Sequence, residues 1–281
     1  MSVFFFVDIR TMNEKQLRQQ ISDKASMLCI GLDTDPKRIP KHLKNGKDPV
    51  FEFNRAIIDA TRDLCVAYKP NLAFYEALGA DGWDSLKKTV DYIGKTHFII
   101  LDAKRGDIGN TANQYARAFF EEMKADAVTL SPYMGYDSIS PFLKYENKYA
   151  ILLLLTSNPG SNDFQMVKGE DGLHFYEKVL ETSQQWAHAT RLMYVVGATR
   201  TEQIRNIRVR ASSRFFLVPG IGAQGGNLQQ VLENGCDNRK SGLLINASRS
   251  ILYASSASDF QEASRQAAEK LQREMSAFMR E

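Results

Sequence analysis

Along the chain, short runs of apolar residues alternate with longer stretches in which apolar positions recur every three or four residues. Eight runs read as strands: "SMLCIGLD" (26–33), "LCVAYKPN" (64–71), "HFIILDAK" (97–104), "ADAVTLSP" (125–132), "YAILLLLTS" (149–157), "LMYVVGAT" (192–199), "RFFLVPGIG" (214–222) and "GLLINASR" (242–249). Several are continuously apolar instead of alternating, as expected of strands buried on both faces. The stretches 51–63, 110–124, 173–190, 200–210 and 258–280 read as helices. Strands alternating with helices imply right-handed crossovers and a parallel sheet. Eight such units in about 250 residues predict an α/β chain folded as a single (β/α)8 TIM barrel. No linker, composition break or short repeat divides it, so 12–281 reads as one domain.

The opening segment "MSVFFFVDIRT" stands apart. Its apolar run is far shorter than the roughly 20 residues of a membrane helix, and it lacks the basic start and small-residue cleavage site of a signal peptide. A helical start follows at Met12 ("MNEKQLRQQI"), so 1–11 reads as an N-terminal extension without a function.

Composition narrows the picture without deciding it. With 43% hydrophobic and 25% charged residues the chain is an ordinary globular protein, and a net charge of +3 gives no case for nucleic acid or an acidic membrane surface. Cys29, Cys65 and Cys236 lie far apart without metal-ligand spacing, which fits free thiols in a reducing cytoplasm. The chain has no G-x-S-x-G, and no G-x-G-x-x-G opens a first strand–helix unit, so hydrolase and dinucleotide readings lack support.

In a barrel of this kind the C-terminal strand ends form the active-site mouth. Six of the eight predicted strands end in groups able to bind or react: Asp33, Lys69, Asp102 with Lys104, Ser157, the loop after Pro219, and Arg249. "PGIGAQGG" (219–226) and "NASRS" (246–250) occupy the places where this fold usually binds phosphate. Glycines allow backbone N–H groups close to an anion, Gln224 offers an amide, and Arg249 a bidentate grip. The bland reading is a tight turn; Arg249 on the adjoining strand favours phosphate.

The densest charge lies in "LDAKRGDIGNT" (101–111), where Asp102, Lys104, Arg105 and Asp107 follow an apolar strand, interrupted by Gly106. On a strand, positions 102 and 104 share a side, which brings a carboxylate and an ammonium together, and Lys69 on the preceding strand approaches laterally. A solvated salt-bridge turn is the alternative, weakened by attachment to the functional end of a buried strand.

Asp-x-Lys-x-x-Asp after the third strand resembles the signature of the orotidine 5′-phosphate decarboxylase family. The likeness continues in family order through "GLD" (31–33), "YKPN" (68–71), "TSNPG" (156–160), "PGIGAQGG" and "NASRS", spanning about 26–255. "KPNLAFYE" (69–76) and "SNPGSNDF" (157–164) resemble its longer bacterial branch. The resemblance implies cofactor-free and metal-free decarboxylation of orotidine 5′-monophosphate to UMP in the cytoplasm, the last step of de novo pyrimidine synthesis. It makes Lys104 the proton donor within an array of Asp102, Lys69 and Asp107. It further implies Asp33 on a ribose hydroxyl, Ser157 on the pyrimidine edge, and Pro219, Gln224 and Arg249 near the phosphate. Asp107, Ile108 and Thr111 are implied to reach a neighbouring subunit's site, making a homodimer the working unit. The turn-rich segment 158–172 reads as a mobile lid. Two other functions fit the same barrel: a Mg2+-dependent enzyme acting on a sugar phosphate, and a nucleotide-binding barrel without catalysis. "TSNPG" speaks against the first, and a costly cluster of partly buried charges against the second.

Overall fold

The computed structural model describes residues 12–222 and 225–280. Eight strands, β1 (Leu28–Gly31), β2 (Ala67–Lys69), β3 (Phe98–Arg105), β4 (Ala127–Leu130), β5 (Tyr149–Leu155), β6 (Leu192–Val196), β7 (Phe216–Pro219) and β8 (Leu243–Ala247), close into one barrel. Every neighbour is parallel, and β8 returns to β1 through Leu28↔Ile245 and Ile30↔Ala247. Every residue of β1, β4, β6 and β8 is buried, which explains why their sequences do not alternate. The predicted (β/α)8 barrel is the observed fold.

The helices form where caps and apolar spacing agree. Pro49–Thr61 starts on Asp48, whose carboxylate accepts the Phe51 N–H, with Pro49 in the first turn. It buries Val50, Phe53, Ile57 and Ile58 along one stripe. The final helix Phe260–Arg280 packs against it. No helix among the described residues is long and apolar enough to cross a membrane. The predicted helix at 110–124 proves to be Gly109–Arg117 running into a wider π turn, Ala118–Glu122. That widening carries two adjacent phenylalanines, Phe119 and Phe120, into the core. Gly79–Ile93 and Tyr136–Leu143 contain Gly82 and Pro141, residues that weaken a helical signal in sequence. In the predicted stretch 173–190 only Phe175–Gln184 is α-helical. His174 just before it pairs with Lys168 in an antiparallel bridge.

The N-terminal strand ends face away from the mouth and are stitched to the first helix, Glu14–Lys24. Buried Asp126, just before β4, accepts the N–H groups of Met12 (3.0 Å) and Ile99 (2.9 Å). The Tyr149 hydroxyl accepts from Glu14 N at 2.7 Å. The expected extension 1–11 lies outside the described residues.

His97, just before β3, is buried in this floor. Its Nε2 lies 2.7 Å from the Arg62 carbonyl and 2.9 Å from Lys24 Nζ, its Nδ1 2.9 Å from Thr96 Oγ1, and its ring against Tyr68. Burial first, and then the Lys24 ammonium, push its pKa down to about 4. An unfolded histidine titrates near 6.5. The stability contributed by the neutral ring is therefore complete above that pH. It is lost as pH falls toward 4, because the unfolded chain takes up the proton first. Between pH 7 and 5 wild type should lose about 2 kcal/mol more stability than His97→Asn in denaturant titrations. Equal losses would show that His97 is not the group responsible.

Candidate active site

The mouth brings together side chains from far apart in sequence. Lys69 closes β2 with its side chain 4% exposed, its Nζ 2.9 Å from Asp102 Oδ2 and 3.8 Å from Asp33 Oδ1. Lys104, half exposed, places Nζ 2.5 Å from Asp102 Oδ1. Burial alone would lower the Lys69 pKa, but the carboxylates of Asp33 and Asp102 outweigh it and hold the ammonium above its ordinary range. Burial alone would raise Asp102, but Lys69 and Lys104 outweigh it and hold the carboxyl well below the usual range. Both groups are thus fixed in their charged forms.

Regular alternation does not produce the contact between Asp102 and Lys104. Between Leu101↔Val128 and Arg105↔Leu130, β3 advances four residues while β4 advances two. Lys104 sits in that irregularity with φ at 50°, a left-handed conformation that a side chain rarely adopts. The Thr129 hydroxyl on β4 fills the gap. It accepts the Lys104 N–H at 3.0 Å and donates to Asp102 Oδ1 at 2.9 Å. Sequence reasoning missed Thr129, whose only signal was a hydroxyl inside the otherwise apolar run "AVTL".

Within one chain the array is Asp33, Lys69, Asp102 and Lys104. Asp107 lies apart from it. It forms no ion pair with a described residue, and its Oδ1 accepts the neighbouring Ile108 N–H at 2.8 Å. Beyond Gly106 the chain has left the barrel wall, so the acid between the two lysines is Asp102. Ile108 is 50% exposed, and Thr111 is exposed on the helix Gly109–Arg117.

Asp33 follows β1, with its carbonyl accepting from the Tyr253 hydroxyl at 3.1 Å. Its buried Oδ1 has no hydrogen-bond donor. Pro219 closes β7 against Asn246 of β8. The next loop bends through Gly220, Gly222 and Gly225, all with positive φ. The glycine pattern predicts backbone N–H groups turned to an anion, whereas those of Gly222, Gly225 and Gly226 go to carbonyls of the same loop. Exposed Arg249 begins the short helix Arg249–Leu252 and pairs with no described carboxylate. Gln224 lies outside the described residues. Among those described, no three His, Cys, Asp or Glu side chains gather as metal ligands.

Ser157 follows β5, crowded against Gly197 beyond β6: a Cβ on that glycine would fall 2.8 Å from Ser157 N and 2.9 Å from its Cβ. The segment after it is tied to its surroundings by several hydrogen bonds, two of them near its start and middle. Gln165 Oε1 accepts the Thr156 N–H at 2.8 Å, and Arg200 Nη2 donates to Ser161 Oγ at 2.7 Å.

A parallel eight-stranded barrel carrying two lysines and two aspartates in contact at its C-terminal mouth defines a (β/α)8-barrel protein with a preformed acid–base centre. The family model for "Orotidine 5'-phosphate decarboxylase / HUMPS family" matches residues 26–266, and the chain belongs to that family. It is 54% identical over 271 residues to orotidine 5′-phosphate decarboxylase of Parabacteroides distasonis, covering 95% of this chain and 96% of that protein. The Phocaeicola vulgatus enzyme of the same name is 53% identical, covering 95% of this chain and 99% of its own. Among solved structures, Leishmania donovani OMP decarboxylase superposes with a TM-score of 0.81 at 37% identity, covering 96% of this chain and 100% of that one.

The contact at Gly197 gives a test of how tightly this end of the barrel is built. Gly197→Ala should destabilise the protein by about 1–3 kcal/mol in thermal or denaturant melts, since Ser157 backbone must move. Gly160→Ala, where the nearest atom would be at 3.4 Å, should change stability much less. Equal effects at the two positions would refute the crowding.

Proposed function

We propose that the protein decarboxylates orotidine 5′-monophosphate to UMP, without metal or cofactor, as the last step of de novo pyrimidine synthesis. The observation that carries this reading is the Lys104 ammonium, half exposed at the mouth and held against an Asp102 carboxylate that buried Lys69 also neutralises. Breaking the C6–CO2 bond leaves its electron pair on a ring carbon with no adjacent carbonyl to delocalise it. The only available stabilisation is a fixed positive charge beside that carbon, set in place before the substrate arrives. Lys104 is that charge, and its Nζ gives the proton that completes the C–H bond as CO2 departs. Asp102 faces the scissile carboxylate, disfavours it in the ground state, and holds the Lys104 ammonium in place beside it. Lys69 holds Asp102 ionised.

Asp33, whose Oδ1 has no donor, takes a ribose hydroxyl, and Ser157 the pyrimidine edge. Arg249, with no described ion-pair partner, grips the phosphate, and Pro219 and Gln224 are assigned to the same group of the substrate. Asp107, Ile108 and Thr111 serve the site of a second copy, making the protein a homodimer with shared sites. Support for this comes from Asp107's separation from its own array and from the exposed apolar side chains Ile108, Tyr133, Met134 and Tyr136 after β3 and β4. Three free cysteines fit action in the cytoplasm.

The test is to mix the purified protein with orotidine 5′-monophosphate in excess EDTA and follow the pyrimidine absorbance. Substrate loss is expected; no loss refutes the proposal, and activity only when Mg2+ is restored would favour a sugar-phosphate type of chemistry. Arg249→Ala should weaken UMP by on the order of 2–4 kcal/mol in calorimetric titration while leaving uridine nearly unchanged. Equal losses for the two ligands would remove the phosphate assignment. Lys104→Ala and Asp107→Ala should each be close to inactive. If Asp107 acts across the dimer, a mixed dimer has one site with both lesions and one with neither. Mixing the two variants under subunit exchange should then restore activity, toward one good site per heterodimer. No recovery despite demonstrated exchange would refute the shared site.

A further inference from the structure

We infer that Thr129 is the positioning residue of the site: its single hydroxyl sets the Asp102 carboxylate and the Lys104 backbone relative to one another. The inference rests on the proposed decarboxylation, in which Asp102 and Lys104 must meet the substrate at the same ring carbon. Thr129 is 1% exposed on β4 and touches both partners at hydrogen-bond distance, 2.9 Å to Asp102 Oδ1 and 3.0 Å to Lys104 N.

The register explains the need. Where β3 gains two residues on β4, the N–H of Lys104 faces the Thr129 side chain, and the hydroxyl is the acceptor it finds. Lys104 is also the one residue of β3 with positive φ, so its backbone keeps that conformation only while its surroundings hold it. A hydroxyl is the smallest group that accepts and donates at once. Its lone pair takes the Lys104 N–H, which leaves its proton for Asp102. The carboxylate then has both oxygens engaged, Oδ2 by Lys69 and Oδ1 by Lys104 and Thr129. Either amino acid that keeps the β-branch but loses the hydroxyl, or the reverse, separates shape from hydrogen bonding.

Thr129→Val keeps the shape and removes both hydrogen bonds; Thr129→Ser keeps the hydroxyl and removes a methyl. With orotidine 5′-monophosphate as substrate, Thr129→Val should lower kcat by about 10- to 100-fold while KM changes by less than about threefold. Thr129→Ser should recover most of kcat. A kcat for Thr129→Val within about twofold of wild type overturns the inference. So does a Thr129→Ser as impaired as Thr129→Val, which would make the methyl packing responsible. A loss confined to KM would assign Thr129 to substrate binding and overturn it as well. If Thr129→Val does not fold, as judged by circular dichroism, Thr129→Ala is compared with Thr129→Ser by the same criteria. Wild-type protein that fails to consume the substrate refutes the decarboxylase reading; wild type that turns over alongside an equally active Thr129→Val refutes only the role of Thr129.

Discussion

The site depends on one arrangement: a nearly buried carboxylate, Asp102, held between two ammonium groups. Removing a carboxylate from water costs several kcal/mol even after relaxation. An opposite charge at 4 Å returns about 4 kcal/mol at an effective dielectric near 20. One lysine would leave the balance near even, and two tip it toward the ionised state. Lys69 needs the same treatment, being more deeply buried than Asp102, and takes it from Asp33 as well as Asp102. The order acid, base, acid, base across the mouth is therefore what keeps its two buried members, Lys69 and Asp102, charged where they are. It also leaves Lys104, the outermost member, half exposed and able to meet a ligand.

A closed parallel barrel makes this arrangement possible. Strands that follow one another in sequence lie side by side, so residues 33, 69, 102 and 129, each on or just after a different strand, converge on one mouth. The opposite end has a separate task. There Asp126, Tyr149 and His97 fasten the first helix and the strand starts to each other, and burial moves the Asp126 carboxyl up to about 6. Perturbed groups at this end concern stability, and those at the mouth lie at the end where this fold places its ligand sites. The same physical causes act at both ends; what differs is access to a ligand.

Much of this was legible in the sequence, and each legible part was local. Continuous apolar runs such as "AILLLL" mark strands covered on both faces, and their alternation with helical spacing fixes a parallel barrel through short-range sterics and handedness. A polar residue directly after such a run, as with Lys69 or Arg249, has to lie at the mouth because the strand itself is buried. What the sequence could not show depends on neighbours that are distant along the chain. The meeting of Lys104 with Asp102 looked like simple alternation, whereas the structure makes it through a slipped register and a left-handed lysine, and register is a property of two strands together. Asp107, two positions past Arg105, belongs to the same charge run in sequence, and only the turn at Gly106 shows that it stands apart from the array of its own chain. Asp33 entered the array, and Thr129 its support, only because β1, β2, β3 and β4 are adjacent in the barrel. Local pattern determined which residues are buried and which end of each strand they mark; tertiary structure decided which charges touch, because Coulomb energies and hydrogen bonds depend on distances that no spacing along a single chain contains.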